Sequence, residues 1–375
     1  MEKQKNIPAL RFPEFTEEWE RKRLGDIAQI NPRNESLPVS FIYIDLESVV
    51  KGELIKEQII ERINAPSRAQ RLLRKGDVLF QMVRPYQKNN FYFDKDGSFV
   101  ASTGYAQLRT NHSSKFIFQY LHIQKFVDKV IENCTGTSYP AINSTDLANL
   151  YLIIPNLPEQ NKIASFLNAV DDKLQALKKK KSLLEQYKKG VMQKIFSQEI
   201  RFKDDNGDDF SEWEIKSLGE VCENIVSGKT KAELEGNYPV FGSTGIIGKS
   251  SFYTHNGVFL LIARVGANAG FVHKVKGKFS VTDNTLIVHN KSTTHIDFIY
   301  HFLLNFNLNR FVFGSGQPLI TGSQLKSMQI RFPLLNEQTK IANFLSAIDE
   351  KINHCQTQIE KTEQYKKGLL QQMFC

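Results

Sequence analysis

The sequence has no apolar run long enough to span a membrane, and its start, Met1–Phe12, has no apolar run of any length. We therefore expect neither a membrane-spanning helix nor a signal peptide. Only four cysteines occur, far apart at Cys134, Cys222, Cys355 and Cys375, which fits neither a disulfide framework nor the ligand spacing of a zinc site. These absences predict a cytoplasmic protein with reduced thiols and no membrane partner.

Patterns typical of catalysis are missing as well. The segment Gly242–Ser250 approaches a phosphate-binding loop, but Ser243 stands where that motif needs its first glycine. The acidic segment Asp204–Lys216 hints at a metal-dependent nuclease or a calcium loop, yet Asp209 occupies the position at which a calcium loop needs glycine. The eight histidines are scattered. We predict no catalytic residue and no metal ligand, and we interpret the acidic segment as a polar connector.

The sequence does contain an internal repeat. Residues 155–196 and 333–374 align without a gap, so that Glu159 matches Glu337 and Asp171 matches Asp349, and roughly half of the positions are identical. Both copies share the pattern EQxKIAxFLxAxDxK and later the pattern EQYKKG. Apolar residues recur about every 3.5 positions, as in a coiled coil. We expect each copy to be one long helix, and the two helices to pair antiparallel about a two-fold axis.

The globular parts repeat as well, because Trp19 aligns with Trp213 and Pro140 with Pro318. The predicted fold class is α+β, with two globular domains separated by a pair of long antiparallel coiled-coil helices in a pseudo-two-fold repeat. The predicted boundaries are residues 1–155 and 198–333 for the globular domains and 156–197 and 334–375 for the helices. The residues expected to pair the helices or bind a partner are Ile163, Leu167, Val170, Leu174, Tyr187, Ile341, Leu345, Ile348, Ile352 and Tyr365. Two unrelated amphipathic helices, each packed on its own domain, are the alternative interpretation.

The net charge of +9 over 375 residues favours an anionic partner, nucleic acid above all. Part of that charge is the run Lys178–Lys181 on the first long helix. Such a run is usually a solvated helix face, and the alternative is a face turned toward a phosphate backbone. The second helix lacks the four-lysine run, which argues against a symmetric essential role.

Over its whole length the chain resembles the specificity (S) subunit of type I restriction–modification systems. The resemblance is carried by LPEQNKIASFLNAVDDKL and LNEQTKIANFLSAIDEKI, by the YKKG helix ends, and by the twin segments EWERKRLGDI and EWEIKSLGEV. It implies a non-catalytic subunit whose two target-recognition domains recognise an asymmetric, bipartite site in double-stranded DNA. It also implies two modification subunits that use S-adenosylmethionine to methylate adenine, and restriction subunits that use ATP and Mg²⁺.

Arginine, lysine, asparagine, glutamine and serine in loops are the residue types that read base edges and phosphates. The predicted DNA-binding residues are Arg84, Tyr86, Lys88, Asn89, Ser138 and Tyr139 in the first domain and Lys229, Ser243, Thr244, Arg264, Asn268 and Gln317 in the second. The alternative for each is a solvated loop residue. Two other classes of protein stay open: an enzyme that acts alone, such as a P-loop ATPase or a nuclease, and a stand-alone DNA-binding or coiled-coil scaffold protein.

Overall fold

The structure is a computed structural model that describes residues 6–34, 36–312 and 318–375. The chain forms two compact units, one of Met1–Leu177 with Thr357–Cys375 and one of Lys178–Gln356. Each unit therefore combines one globular domain with parts of both long helices. Among the described residues, no helix is both long and apolar enough to cross a membrane. The domain boundaries predicted from the sequence stay predictions.

The first unit mixes short strands with short helices. Its strands are β1 (Glu20–Arg23), β2 (Gln29–Ile30), β3 (Ser40–Ile44), β4 (Val49–Val50), β5 (Glu53–Leu54), β6 (Ile59–Glu61), β7 (Ala69–Leu72), β8 (Val78–Gln81), β9 (Phe91–Tyr92), β10 (Phe99–Ser102), β11 (Tyr105–Arg109) and β12 (Tyr151–Ile154). Its helices are α1 (Leu24–Ile27), α2 (Ser114–Tyr120), α3 (Gln124–Glu132), α4 (Ser144–Asn149), the first part of α5 (Leu157–Phe196) and the last part of α9 (Leu335–Gln372). Two four-stranded sheets have the orders β6-β3-β10-β7 and β2-β11-β8-β9.

The main core of the first unit lies between the second of these sheets and the helices. β8 and β11 pair antiparallel from Val78 opposite Leu108 to Gln81 opposite Tyr105. Trp19 and Phe374 both lie against the ring of Phe116, with centroid separations of 6.2 and 5.3 Å. The aromatic residue that ends the second repeat is therefore part of the first domain's core. Burying a ring of this size stabilises the fold by about 2–3 kcal/mol.

The second unit is built around one larger sheet. Its strands are β13 (Glu214–Ser217), β14 (Cys222–Ser227), β15 (Tyr238–Gly242), β16 (Gly245–Ser250), β17 (His255–Ala263), β18 (Val272–Val281), β19 (Thr285–Asn290) and β20 (Gln329–Phe332). Its helices are the last part of α5, α6 (Leu218–Val221), α7 (Ile296–Phe306), α8 (Gly322–Ser327) and most of α9 (Leu335–Gln372). The sheet order is β14-β19-β17-β18-β15-β16, in which β15 and β18 are parallel.

The core of the second unit repeats the aromatic contacts of the first. Trp213 lies 6.1 Å from Phe298, and Phe196, at the end of α5, lies 5.7 Å from the same ring. α7, which carries Phe298, packs on the face of the sheet that holds Leu260 and Ile262. Each long helix therefore ends in an aromatic cluster beside the tryptophan of one globular domain.

Two helix expectations for the globular domains are wrong in detail. The apolar spacing of Ser114–Glu132 predicts one helix, but the chain breaks between α2 and α3 at Ile123, which is extended (φ −67°, ψ 133°). The break lets Phe116 and Phe126 both reach the same core. The spacing of Asp297–Phe313 likewise predicts one helix, but α7 ends before Asn307, whose backbone is left-handed (φ 58°), and a short 3-10 helix follows at Leu308–Phe311. Phe313 lies outside the described residues.

The two long helices form as predicted, with 40 residues in α5 and 38 in α9. The heptad residues Ile163, Leu167 and Val170 are buried in the first unit, and Ile341, Leu345 and Ile348 are buried in the second. Leu174 and Ile352 are half-buried. Tyr187 and Tyr365 are each 54% exposed, and their part in pairing the helices stays a prediction. Partner binding by these two residues stays a prediction.

Candidate nucleic-acid interface

In the first unit, the end of β8 is joined to the loop before α4. Val83 pairs with Ala141 in an isolated antiparallel bridge. One hydrogen bond of this bridge runs from the Arg84 N–H to the carbonyl oxygen of Pro140 at 2.8 Å. These contacts place Tyr139 beside Arg84, although the two residues are far apart in the sequence.

Arg84 and Tyr139 form a stacked pair at this junction. Arg84 has a left-handed backbone (φ 53°, ψ 55°), a conformation that costs a non-glycine residue about 1 kcal/mol or more. Its guanidinium carbon lies 4.2 Å from the centroid of the Tyr139 ring, a cation–π contact. The Arg84 Nε atom is buried and has no hydrogen-bond partner among the described residues. Tyr139 is 65% exposed, Tyr86 is 48% exposed and Ser138 is also exposed, so the pair lies at an open surface.

The side chains of Lys88 and Asn89 form hydrogen bonds with other segments of the first domain. Lys88 Nζ donates to the His122 carbonyl oxygen at 3.0 Å and to Gln124 Oε1 at 2.9 Å. Burial lowers the pKa of the Lys88 ammonium. The Asn89 side chain accepts the Lys51 N–H at 2.9 Å. Both side chains hold their own loop in place in this structure, and DNA binding by either one stays a prediction.

The second unit has the same junction with different side chains. Val265 pairs with Leu319 in an isolated antiparallel bridge, and the Gly266 N–H donates to the Pro318 carbonyl oxygen at 2.9 Å. Gly266, at the position of Arg84, has a positive φ of 78°. The residue at the position of Tyr139 is Gln317, which lies outside the described residues.

Ser243 and Arg264 meet at one corner of the second domain. Ser243 Oγ donates to the Asn284 carbonyl oxygen at 2.6 Å, and the Arg264 N–H donates to the same oxygen at 2.9 Å. Arg264 Nη1 donates to the Asp283 carbonyl oxygen at 3.2 Å. The turn between β18 and β19 therefore brings together two residues that the sequence predicts to bind DNA.

The remaining predicted residues of this domain, Lys229, Thr244 and Asn268, are exposed. Lys229 follows Gly228, where a Cβ atom would lie 2.0 Å from the Val281 carbonyl oxygen. Only glycine allows the segment to approach the end of β18 so closely, and the Thr230 N–H, next to Lys229, donates to the Val281 carbonyl oxygen at 3.0 Å. Thr244 and Asn268 lie in the turns that follow β15 and β17.

The structure shows what the two motif segments form locally. Gly242–Ser250 is the turn and second strand of the β15–β16 hairpin, whereas a phosphate loop must lead into a helix. In the acidic segment, the Asp204 carboxylate accepts the N–H groups of Asn206 and Asp208 at 2.8 and 2.9 Å, which is a polar turn. Among the described residues, no group of three or more histidine, cysteine, aspartate or glutamate side chains is placed to hold a metal ion.

Sequence reasoning missed two arginines that anchor the long helices. Arg11 donates from Nε and Nη2 to the two carboxylate oxygens of Glu159, both at 2.8 Å. Arg201 binds Glu337 in the same way, at 3.3 and 3.0 Å. Both carboxylates are fully buried. The signal was present, because LRF at residues 10–12 and IRF at residues 200–202 precede the shared tryptophan in both repeats.

The lysine run of α5 lies on a solvated helix face. Lys179 and Lys180 are exposed, and Lys181 Nζ lies 3.2 Å from the Glu185 carboxylate one turn further on. A surface pair of this kind contributes less than about 1 kcal/mol. A face turned toward a phosphate backbone stays the alternative.

Known proteins resemble this chain in both sequence and fold. The family model described as "Type I restriction modification DNA specificity domain" matches residues 16–186 and 210–364. The putative type I restriction enzyme MjaX specificity subunit of Methanocaldococcus jannaschii is 25% identical, across 98% of this chain and 95% of that protein. The type I restriction enzyme EcoprrI specificity subunit of Escherichia coli is 28% identical, across 64% of this chain and 62% of its own length. A crystal structure of the type I restriction–modification S subunit from M. genitalium has a TM-score of 0.66 at 15% identity, covering 98% of this chain and 99% of that one, which shows a shared fold.

Because the family model matches both repeats, the protein belongs to the type I restriction–modification DNA specificity domain family. The chain is a DNA specificity subunit, a non-catalytic component that works with other restriction–modification subunits and with DNA. The family assignment confirms the resemblance, the repeated α+β fold and the non-enzymatic role that the sequence predicts.

Proposed function

We propose that the two globular domains read the two halves of an asymmetric, bipartite site in double-stranded DNA, one half-site each. The observation that carries this proposal is the junction that both domains share. In each, a strand end that carries Arg84 or Gly266 is hydrogen-bonded to a loop that carries Pro140 or Pro318. The shared frame puts different side chains at equivalent positions, so the two surfaces offer different donors and acceptors. Two unlike surfaces in one chain suit unlike half-sites, in contrast to the palindrome read by a homodimer.

The charge of the chain supports a contribution of phosphate contacts to affinity. The net charge is +9, and lysines and arginines that neutralise phosphates release counterions, which makes binding fall steeply with salt. We expect the isolated chain to bind duplex DNA weakly and without sequence preference, and to become specific once the modification subunits are present.

The proposed partners are two modification subunits and the restriction subunits. The modification subunits would bring S-adenosylmethionine for adenine methylation, and the restriction subunits would bring ATP and Mg²⁺ for translocation and cleavage. The family resemblance of the whole chain supports this assignment of methylation to the modification subunits and of translocation and cleavage to the restriction subunits. The expected cytoplasmic location stays a prediction.

An exchange of the second recognition domain tests the proposal. Residues 226–315 are replaced by the corresponding segment of another specificity subunit, and the methylated motif is read by methylome sequencing in cells that carry the modification subunits. One half of the motif should change while the other half stays the same. Cells with the modification subunits but without this chain are the control, and they should show no such motif. A change in both halves at once would contradict independent reading.

The alternative, a stand-alone DNA-binding or coiled-coil scaffold protein, is tested with the purified chain. Tight, sequence-specific and salt-insensitive binding by the chain alone would favour that alternative. Failure to bind duplex DNA even together with the modification subunits would favour a scaffold without a reading role.

A further inference from the structure

One arginine of the first domain has the geometry of a base-reading side chain. The backbone around Arg84 is held by hydrogen bonds at both of its polar groups, since its N–H donates to the Pro140 carbonyl oxygen at 2.8 Å, as part of the bridge between Val83 and Ala141, and its carbonyl oxygen accepts the Gln87 N–H at 3.0 Å. This fixes the direction of the Cα–Cβ bond of Arg84, and the stack on Tyr139 orients the guanidinium at the other end of the side chain. Base reading requires such fixed geometry, whereas a phosphate can be neutralised by a flexible cation.

The backbone of Arg84 is strained where a glycine would be relaxed. Its φ is 53°, and the equivalent residue of the second domain, Gly266, has a φ of 78°. Glycine adopts such angles without steric cost, and arginine does not. A side chain kept at a position of this kind is typical of functional sites.

The stack on Tyr139 leaves one edge of the guanidinium available. The ring lies 4.2 Å below the guanidinium carbon and covers one face of the group. The Nε atom is buried without a partner among the described residues, so it cannot reach a ligand. Nη1 and Nη2 are the donors that remain, and they form a planar fork that matches two neighbouring acceptors.

We propose that Arg84 reads a guanine in the half-site bound by the first domain, with Tyr139 as its platform; this inference rests on the proposed function. Nη1 and Nη2 would donate to guanine O6 and N7 in the major groove. Guanine is the base that presents two acceptors side by side there, whereas adenine presents one acceptor and one donor. Arginine has hydrogen-bond donors only. It therefore matches the two acceptors of guanine, whereas on adenine one of its donors would face another donor.

The second domain cannot read a base in this way at the equivalent position, because Gly266 has no side chain. We therefore expect Arg84 to specify one G·C pair in the half-site of the first domain. We expect no equivalent contact in the other half-site.

The test uses the full chain with its modification subunits and the variants Arg84→Gly and Arg84→Lys. Glycine suits the left-handed backbone, so Arg84→Gly should fold at least as well as the wild type. With either variant, one G·C pair of one half-site should become unspecified in the methylome, while the other half-site stays unchanged. In binding assays with duplexes that vary only at this pair, discrimination for guanine should fall by about 5- to 150-fold. Tyr139→Ala should reduce discrimination at the same pair.

The matched control is Arg21→Ala, because the Arg21 guanidinium also lies over a tyrosine, Tyr151, at 4.0 Å, but on β1 rather than at the junction. This variant should leave the motif unchanged. An unaltered motif with Arg84→Gly would overturn the inference and leave the proposed function standing. A uniform loss of affinity on all four duplexes, with a shallower salt dependence, would also overturn it by assigning Arg84 to a phosphate. If the wild-type chain directs no bipartite methylation, both the proposed function and this inference fail.

Discussion

Lys188 Nζ lies 2.6 Å from Asp349 Oδ1 in the second unit, and Lys366 Nζ lies 2.6 Å from Asp171 Oδ1 in the first. The two ion pairs are equivalent under the repeat, since each joins a lysine of an EQYKKG segment to the aspartate of a KIAxFLxAxD segment. In the sequence these segments look like two separate signatures. In each unit they are partners, one from α5 and one from α9.

We expect Asp171→Lys to destabilise the chain by about 2 kcal/mol, because it puts two ammonium groups at a site that is largely shielded from water. The side chains of Lys366 and Asp171 are only 20% and 24% exposed. The double variant Asp171→Lys with Lys366→Asp should recover much of the loss, as measured by urea unfolding. Glu185→Lys, beside the more exposed Lys181, is the control and should cost less than about 1 kcal/mol. No recovery in the double variant would show that the pair itself contributes little.

Removing one partner of the buried pair Arg11–Glu159 should destabilise the chain more than removing both. Arg11→Met leaves a carboxylate with no exposed surface and without its cation, which we expect to cost about 3–5 kcal/mol. Arg11→Met combined with Glu159→Leu should be the more stable of the two variants, because it removes the buried charge altogether. Glu14→Gln is the control, since its ion pair with Lys162 is well exposed. Thermal unfolding of the full chain measures all three, and a double variant weaker than Arg11→Met would contradict the account.

His301 should make the chain less stable as the pH falls. Burial lowers the pKa of its imidazole from 6.5 to about 3, and Lys188 adds to the effect. Between pH 6.5 and 3 the unfolded chain then binds a proton that the folded chain does not. The contribution of neutral His301 to the free energy of unfolding is therefore complete above pH 6.5 and decreases below it. Between pH 6.5 and pH 5 the loss should be about 1–2 kcal/mol.

The matched variant for this test is His301→Gln, since Gln119 occupies the equivalent position in the first repeat and donates to Asp171 at 2.7 Å. Urea unfolding at pH 7, 6 and 5 should show a smaller decrease for His301→Gln than for the wild type. Equal decreases in the two proteins would rule out His301 as the titrating group.

The long helices should set the distance between the half-sites. One heptad inserted after Leu177 and another after Gln356 keeps the apolar seam in phase, because seven residues restore the pattern. Both ion pairs described above then stay within their own units. Each helix lengthens by roughly 10 Å at 1.5 Å per residue, which corresponds to about three base pairs.

The methylome of cells with the heptad variant should show the same half-sites separated by a longer gap. The increase should reach up to about three base pairs, less what DNA bending and twisting absorb. Insertion of four residues at the same places is the control, and it should abolish methylation because it moves the seam out of phase. An active heptad variant with an unchanged gap would show that other elements measure the distance.

The sequence alone determined the repeat, the two long helices, the α+β class and the family. The repeat, the helices and the fold class follow from periodicity and from identities between the two copies, which are visible without knowing how the chain folds. The family follows from the resemblance of the shared motifs to those of specificity subunits. The heptad pattern also predicted the burial of Ile163, Leu167, Ile341 and Leu345 correctly. Tyr187 and Tyr365 are half exposed, and whether they pair the helices stays a prediction.

Only the tertiary structure decided which residues meet. The stack of Arg84 on Tyr139 depends on a bridge between a strand end and a distant loop. The inward position of Lys88 depends in the same way on α3. The partner of Glu159 is Arg11, 148 residues away. Contacts of this range are set by the path of the whole chain and by which buried polar groups must be satisfied. A repeated segment such as LRF and IRF marks the arginine, but it does not name the partner.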